Sequence, residues 1–441
     1  MENLKTRIFL TGATGVMGEA ALKEFSKYPS NYDITVLVRP SKKNKKKIKK
    51  NLREGVKVVC GDLLDPEALK QGVEKSDIVL HVGGMVSPRA DHFPLETLRV
   101  NIGSMKLIAD IVKNIELNNP QREIKVVYIG SVAQYGSKLP PDHWGKAGDI
   151  MKTAVFDAYA VSKILAERAL LEAGLKKWVS IRQTGILHAG LLKKANDPIT
   201  FHFPIQGVLE WISAEESGRL LERICRPEVP EDFWCCVYNA GSGKKLRLTN
   251  LEFERGILKA LGCPPPEKIF ETKWFATDNF HGFWFKDSDL LDQILHFREN
   301  LSFEEVLKRL KKSMPFYYKL SPLAPAFLIK AFMKKVALTP QLGPLWWLQN
   351  NQEEKIKYCW GSRENYNNIP TWEEMEEKDL NRNSSYLSSA PRKKYSTFLR
   401  EKICNKGHTY FSSDVLEGYG HTCPVCMIKA SKVELPEEMT L

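Results

Sequence analysis

The sequence predicts an α/β protein built on a doubly wound parallel sheet, and three observations predict it. Short apolar runs recur along the first half of the chain, and most of them end at a glycine or a polar residue. Helix-length stretches separate them, the alternation expected of parallel strands joined by crossover helices. The first run, Ile8-Phe9-Leu10, meets glycines at Gly12, Gly15 and Gly18 before a helix-like stretch from Glu19 to Tyr28.

That strand, glycine turn and helix form the local context that cradles a dinucleotide. Gly12 allows the tight turn, Gly15 lets backbone approach a pyrophosphate, and Gly18 lets the helix pack on the strand. The helix N-terminus offers N–H donors to the phosphates. The turn residues Gly12, Thr14, Gly15, Val16, Met17 and Gly18 are the expected contacts.

The second strand is expected over Asp33–Val38 and ends at Arg39-Pro40. An acidic residue at this place binds ribose hydroxyls, whereas a cation tolerates a 2′-phosphate. Arg39, followed by Ser41, Lys42 and Lys43, therefore points to NADP ahead of NAD. A third strand over Val56–Cys60 leads to Asp62 and Leu63, placed to meet the adenine edge. A fourth over Ile78–Val82 ends in Gly83-Gly84, where a cofactor can lie against backbone. Leu95–Leu117 reads as a helix containing Asn101, and Lys125–Ile129 as a fifth strand followed by Gly130-Ser131.

Tyr159 and Lys163 are four residues apart in D-A-Y-A-V-S-K. On a helix both side chains share one face. An ammonium beside a phenol favours the phenolate and is expected to lower its pKa, which makes tyrosine a usable acid/base. Ser131, at a strand end of the same sheet, can donate a hydrogen bond to a substrate oxygen.

With these pieces in order, residues 7 to about 310 resemble the extended short-chain dehydrogenase/reductases, the NAD-dependent epimerase/dehydratase family. The likeness rests on T-G-A-T-G-V-M-G, G-D-L-L-D (61–65), H-V-G-G (81–84), N-I-G-S (101–104), G-S-V-A-Q-Y-G (130–136) and Y-A-V-S-K (159–163), with I-R-Q-T-G (181–185) and Y-N-A-G-S-G (238–243) downstream. It implies a Rossmann domain, with Tyr159 as acid/base, Lys163 on the nicotinamide ribose and tuning Tyr159, and Ser131 orienting the substrate oxygen. Asn101 falls where the family keeps an asparagine near the cofactor. The R-x-G-D pattern of sugar-nucleotide epimerases is missing late in the chain. Trp274-Phe275 and Phe280–Phe285 fill part of that region, either as an apolar pocket wall or as core.

Composition sets the remaining bounds. The 441 residues are 43% apolar and 27% charged, and no apolar run is long enough to span a bilayer. The first strand comes at once, which predicts no signal peptide, and nine unevenly spaced cysteines predict a reducing cytoplasm. Much of the +12 formal charge sits in Lys42–Lys50, read as a solvated basic loop with no specific nucleic-acid partner. Residues 302–312 read as an amphipathic helix. Phe327–Val336 makes a basic, apolar-faced helix, for which a cover over the second lobe ranks above a peripheral membrane contact.

The expected organisation is a dinucleotide domain (1–190), a substrate lobe (191–312), a helical and aromatic extension (313–380), a linker (381–399) and a small metal module (400–430). In that module Cys404-x-x-x-His408 and Cys423-x-x-Cys426 have the donor set of a structural zinc site. The leading function is hydride transfer between NAD(P) and a secondary alcohol or ketone of a bulky substrate. The alternatives are a sugar or sugar-nucleotide epimerase or dehydratase, and a dinucleotide-sensing scaffold without turnover. The oligomeric state stays open between monomer and homodimer.

Overall fold

The computed structural model describes residues 5–42, 44, 55–138, 143–154, 156–193, 197–314, 322–375 and 400–412. Strand β1 (Thr6–Thr11) runs into helix α1 (Val16–Phe25), which starts three residues before the sequence pattern suggests. Then follow β2 (Tyr32–Val38), β3 (Lys57–Cys60), α2 (Pro66–Val73) and β4 (Ile78–His81). The 25-residue helix α3 (Pro94–Asn118) leads to β5 (Lys125–Ser131). Next come α4 (Ala158–Glu172), β6 (Trp178–Gln183), α5 (Ala214–Ile224) and β7 (Cys236–Ala240).

The seven strands pair in parallel in the order β7-β6-β5-β4-β1-β2-β3. Register is fixed by the two-residue side-chain period. Ile8, Leu10, Ile78, Leu80, Val127, Ile129, Val179 and Ile181 pack on one face, with α1 and α5. Phe9, Val79, Val126 and Tyr128 pack on the other, with α2, α3 and α4. The seventh strand comes from beyond residue 190, so the dinucleotide sheet is completed by a segment that the sequence assigns to the second lobe.

That lobe carries its own core, with Trp211, Phe283, Phe285 and Leu307 buried. Its helix α6 (Asn250–Leu261) is closed by a Thr249/Glu252 capping box and by Gly262 in the left-handed conformation at φ +74°. The amphipathic helix expected at 302–312 forms as Phe303–Lys312. Beyond it lies α7 (Ala326–Ala337), and then helices Pro344–Gln349 and Glu353–Trp360. Trp360 is fully buried and donates from Nε1 to the Phe275 carbonyl at 2.8 Å, which anchors the extension to the lobe. In a separate unit, β8 (Arg400–Ile403) and β9 (Thr409–Ser412) form an antiparallel hairpin.

One buried ion pair ties α4 to the sheet. Glu167 is 1% exposed and Arg182, on β6, is 5% exposed. Arg182 Nη2 and Nε donate to the carboxylate at 2.5 and 3.0 Å, and Ser180 Oγ donates to it at 2.5 Å. Removing one partner strands a buried charge. Glu167→Ala should therefore cost about 3–5 kcal/mol in urea denaturation. A loss below about 1 kcal/mol, the range of exposed pairs, would overturn this account of how α4 is held.

Candidate active site

The end of β1 and the end of β4 touch through backbone. Gly12 sits at φ +74°, and a Cβ there would lie 2.7 Å from the Gly83 nitrogen. A Cβ on Gly18 would lie 2.3 Å from the Gly12 carbonyl oxygen, so α1 packs directly on the turn. Thr11 Oγ1 accepts from Gly83 N at 3.0 Å and lies 2.9 Å from His81 Nδ1. Burial, with help from Lys163, pulls His81 down to about 3, so it serves as a neutral hydrogen-bonding strut.

A cavity of about 1050 Å³ opens above these strand ends and runs on into the second lobe. Every turn residue expected to contact a dinucleotide lines it: Gly12, Thr14, Gly15, Val16, Met17 and Gly18. Arg39, Asp62, Leu63, Gly83, Ser131, Tyr159 and Lys163 line the same space. Helix α1 has no side-chain cap, its N-cap being Gly15.

Asn101 does not line the cavity. It is buried beneath the loop after β4, where Oδ1 accepts from Met85 N at 2.7 Å. Its Nδ2 donates to Met85 O at 3.0 Å and to Ser162 Oγ at 2.8 Å. Those contacts tie the loop to α4. Of the lobe aromatics, Phe280 lines the cavity, while Trp274, Phe275, Phe283 and Phe285 are core.

The electrostatics correct one expectation. Burial raises Tyr159 to about 12, against a hydrogen bond from Ser131 that lowers it, and Asp157 adds to the rise. Lys163 does not reverse this. Its Nζ donates to the Ile129 carbonyl at 2.7 Å and stands 6.0 Å from the Tyr159 ring centroid. Burial in turn pulls Lys163 down to about 8, partly offset by Glu167. Desolvation dominates both groups because protein surrounds them.

Sequence reasoning missed several wall residues. His281 lines the cavity, and its Nδ1 lies 3.0 Å from Asp157 Oδ2 at the start of α4. Gln183 Oε1 and Thr184 Oγ1, beside the end of β6, are buried on the wall without a hydrogen-bond partner among the described residues. Glu254 lies on the cavity face of α6 with Phe253, Ile257 and Leu261. A carboxylate on the apolar stripe of a helix was the legible signal for it. Glu254 is half-buried on that wall, and desolvation raises it from its ordinary 4.5 to about 7.

Cys404 Sγ lies 3.4 Å from His408 Nδ1 in the hairpin unit. Cys423 and Cys426, the other expected zinc ligands, lie outside the described residues, as does most of the Lys42–Lys50 run. Among the described residues, no group of three or more His, Cys, Asp or Glu side chains is placed to hold a metal.

Fold and cavity together define a dinucleotide-binding protein of the doubly wound α/β class. More particularly, residues 8–182 match the NAD dependent epimerase/dehydratase family. D-erythronate dehydrogenase of Cupriavidus necator is 36% identical over 88 residues, 20% of this chain and 25% of that protein. An uncharacterized protein of Saccharomyces cerevisiae is 39% identical over 77 residues, 18% of this chain and 24% of that one. The chain thus spans about a quarter of the length of these relatives. UDP-glucose 4-epimerase of Thermus thermophilus, in complex with NAD, superposes with a TM-score of 0.54 at 17% identity, covering 70% of this chain and 98% of that one. dTDP-glucose 4,6-dehydratase of Bacillus anthracis, also with NAD, gives 0.55 at 15%, covering 70% and 96%.

Glu254 generates a pH prediction. Its proton is held more tightly in the folded chain, so the stability it contributes is full below about 4.5 and is lost as pH rises through about 7. Glu254→Gln should gain on the wild type by about 2 kcal/mol between about pH 5 and pH 8 in thermal or urea unfolding. Parallel pH profiles for the two proteins would contradict the burial of this carboxyl.

Proposed function

We propose that the chain is an NAD(P)-dependent oxidoreductase that interconverts a secondary alcohol and a ketone on a bulky, apolar substrate. The observation that carries this reading is one continuous cavity. Its floor is the glycine turn with Ser131, Tyr159 and Lys163, and its far wall is apolar.

The residues present fit a dinucleotide. The backbone N–H groups at the uncapped start of α1 suit a pyrophosphate. Gln183 Oε1 and Thr184 Oγ1, both without a partner among the described residues, suit an amide-bearing ring at the end of β6. Arg39, exposed at the end of β2, suits a 2′-phosphate. When bound, the nicotinamide supplies the hydride acceptor or donor. Tyr159 holds or delivers the proton at the substrate oxygen. Ser131 donates a hydrogen bond to that oxygen and fixes its position. Lys163 keeps a cationic group on the same face of α4, where it steadies a developing phenolate.

The substrate reading follows from the wall. Trp211 and Phe253 stack with centroids 4.4 Å apart, and Phe203 and Phe280 with centroids 4.7 Å apart. The lining arginines and lysine, Arg39, Arg89, Arg99 and Lys163, all belong to the dinucleotide half; among the described residues of the second lobe's wall there is none, and Glu254 adds a carboxyl. A sugar nucleotide brings a diphosphate that needs cations. An apolar alcohol needs the surface that is present.

Tyr159→Phe keeps the ring and removes the proton. Turnover should fall at least about 100-fold, with dinucleotide binding retained. Lys163→Ala should weaken both turnover and dinucleotide binding. Cofactor reduction screened against lipophilic secondary alcohols and sugar nucleotides is the direct assay, and near-normal turnover by Tyr159→Phe would remove the assignment. Turnover of sugar nucleotides alone, with no net change in cofactor, would favour the epimerase or dehydratase reading.

Arg39→Ala tests the cofactor. It should weaken NADP roughly ten-fold or more and leave NAD nearly unchanged, as for loss of one charge-assisted contact. Equal affinity of the intact chain for both dinucleotides would refute the NADP preference.

A further inference from the structure

Helix α7 has two apolar faces. Ile329, Phe332 and Met333 line the cavity, and Ala324 lines it just before the helix begins. Met333, Val336 and Ala337 are buried. The opposite side is exposed: Leu323 at 77%, Phe327 at 69%, Leu328 at 54% and Phe332 at 49%. Phe332 belongs to both faces. Lys334 and Lys335, in the last turn, are exposed beside this patch. Lys330 instead pairs with Glu271 at 3.1 Å.

Clustered large apolar side chains on one helical face mark a contact surface. We propose that this face docks on an anionic membrane surface, with Phe327, Leu328 and Phe332 entering the acyl boundary and Lys334 and Lys335 meeting the headgroups. Two observations select a bilayer over a protein partner. The charge is complementary to anionic lipid, and the apolar cluster is bordered by lysines in the pattern of an interfacial helix. The patch is also continuous, through Phe332, with the wall of the substrate cavity. A substrate that fits an apolar cavity partitions out of water and concentrates in the bilayer. A helix forming both the cavity wall and the docking face places the cavity beside that reservoir. No helix among the described residues is long and apolar enough to cross a membrane.

The purpose of this contact rests on the apolar-substrate reading, but the contact itself is measured without turnover. The full chain is mixed with vesicles of equimolar phosphatidylcholine and phosphatidylglycerol, and with phosphatidylcholine alone, and floated on a density gradient. The intact chain should float with the anionic vesicles and much less with the neutral ones. Phe327→Ser combined with Leu328→Ser touches no cavity-lining residue. It should reduce vesicle binding roughly ten-fold or more while melting temperature and dinucleotide binding stay unchanged. Lys334→Ser with Lys335→Ser should abolish the preference for anionic over neutral vesicles.

Failure to float with either vesicle overturns the proposal. So does unchanged flotation of the Phe327/Leu328 variant, which would place the attraction in basic segments elsewhere. Self-association lost in that variant, without vesicle binding, would assign the patch to a second copy of the chain. Vesicle binding that persists while only sugar nucleotides are turned over would overturn the substrate reading and leave the docking surface standing.

Discussion

The architecture of the site depends on a backbone-to-backbone contact. Gly12 at the end of β1 and Gly83 just beyond β4 approach so closely that a side chain on Gly12 would occupy the same space as the other strand's loop. The chain leaves β1 for α1 on one face of the sheet and leaves the adjacent β4 for α3 on the other. A crevice must form where those paths diverge, at the carboxyl ends of the strands. The glycine turn and the start of α1 lie at that crevice. The Thr11, His81 and Ser104 contacts below it keep the two strand ends in register.

Helix α4 brings the second half of the site to the same crevice, and it is held from several sides. Glu167 is locked to Arg182 and Ser180 on β6. Ser162 accepts from Asn101, and Asp157 at the helix start faces His281 of the second lobe. Rigid support of this kind lets a half-buried tyrosine and a buried lysine keep one geometry despite the cost of desolvation. That cost explains why Tyr159 sits above its ordinary range and Lys163 below it before any ligand contributes charge. Desolvation favours the neutral form of both groups, a balance that cofactor or substrate charge can shift.

The second lobe gives the cavity its chemical character. Stacked aromatic pairs stiffen its wall, and the extension beyond residue 322 closes over it through α7. The extension is not an independent appendage: the Trp360 indole and the Thr272 hydroxyl bond across to backbone in the opposite segment. On the side of the second lobe the wall is apolar and carries the Glu254 carboxyl, while the lining arginines and lysine belong to the dinucleotide half.

The sequence by itself determined what is local. The alternation of strands and helices, the glycine turn, the Tyr159 and Lys163 spacing and the strand-end Ser131 all follow from short-range periodicity and steric demand, and all appear where that periodicity puts them. What depended on burial was not legible. Lys163 was expected to lower the tyrosine pKa, yet desolvation wins, because only the folded chain decides how much water remains. For Asn101 the sequence leaves a place near the cofactor and a packing role equally open, and its bonds to Met85 and to the distant Ser162 come only from the fold. The seventh strand, the apolar far wall with Glu254, and the two-faced α7 are set by contacts between distant segments. Composition reports that such side chains exist; only tertiary packing selects which of them face the core, the cavity or the solvent.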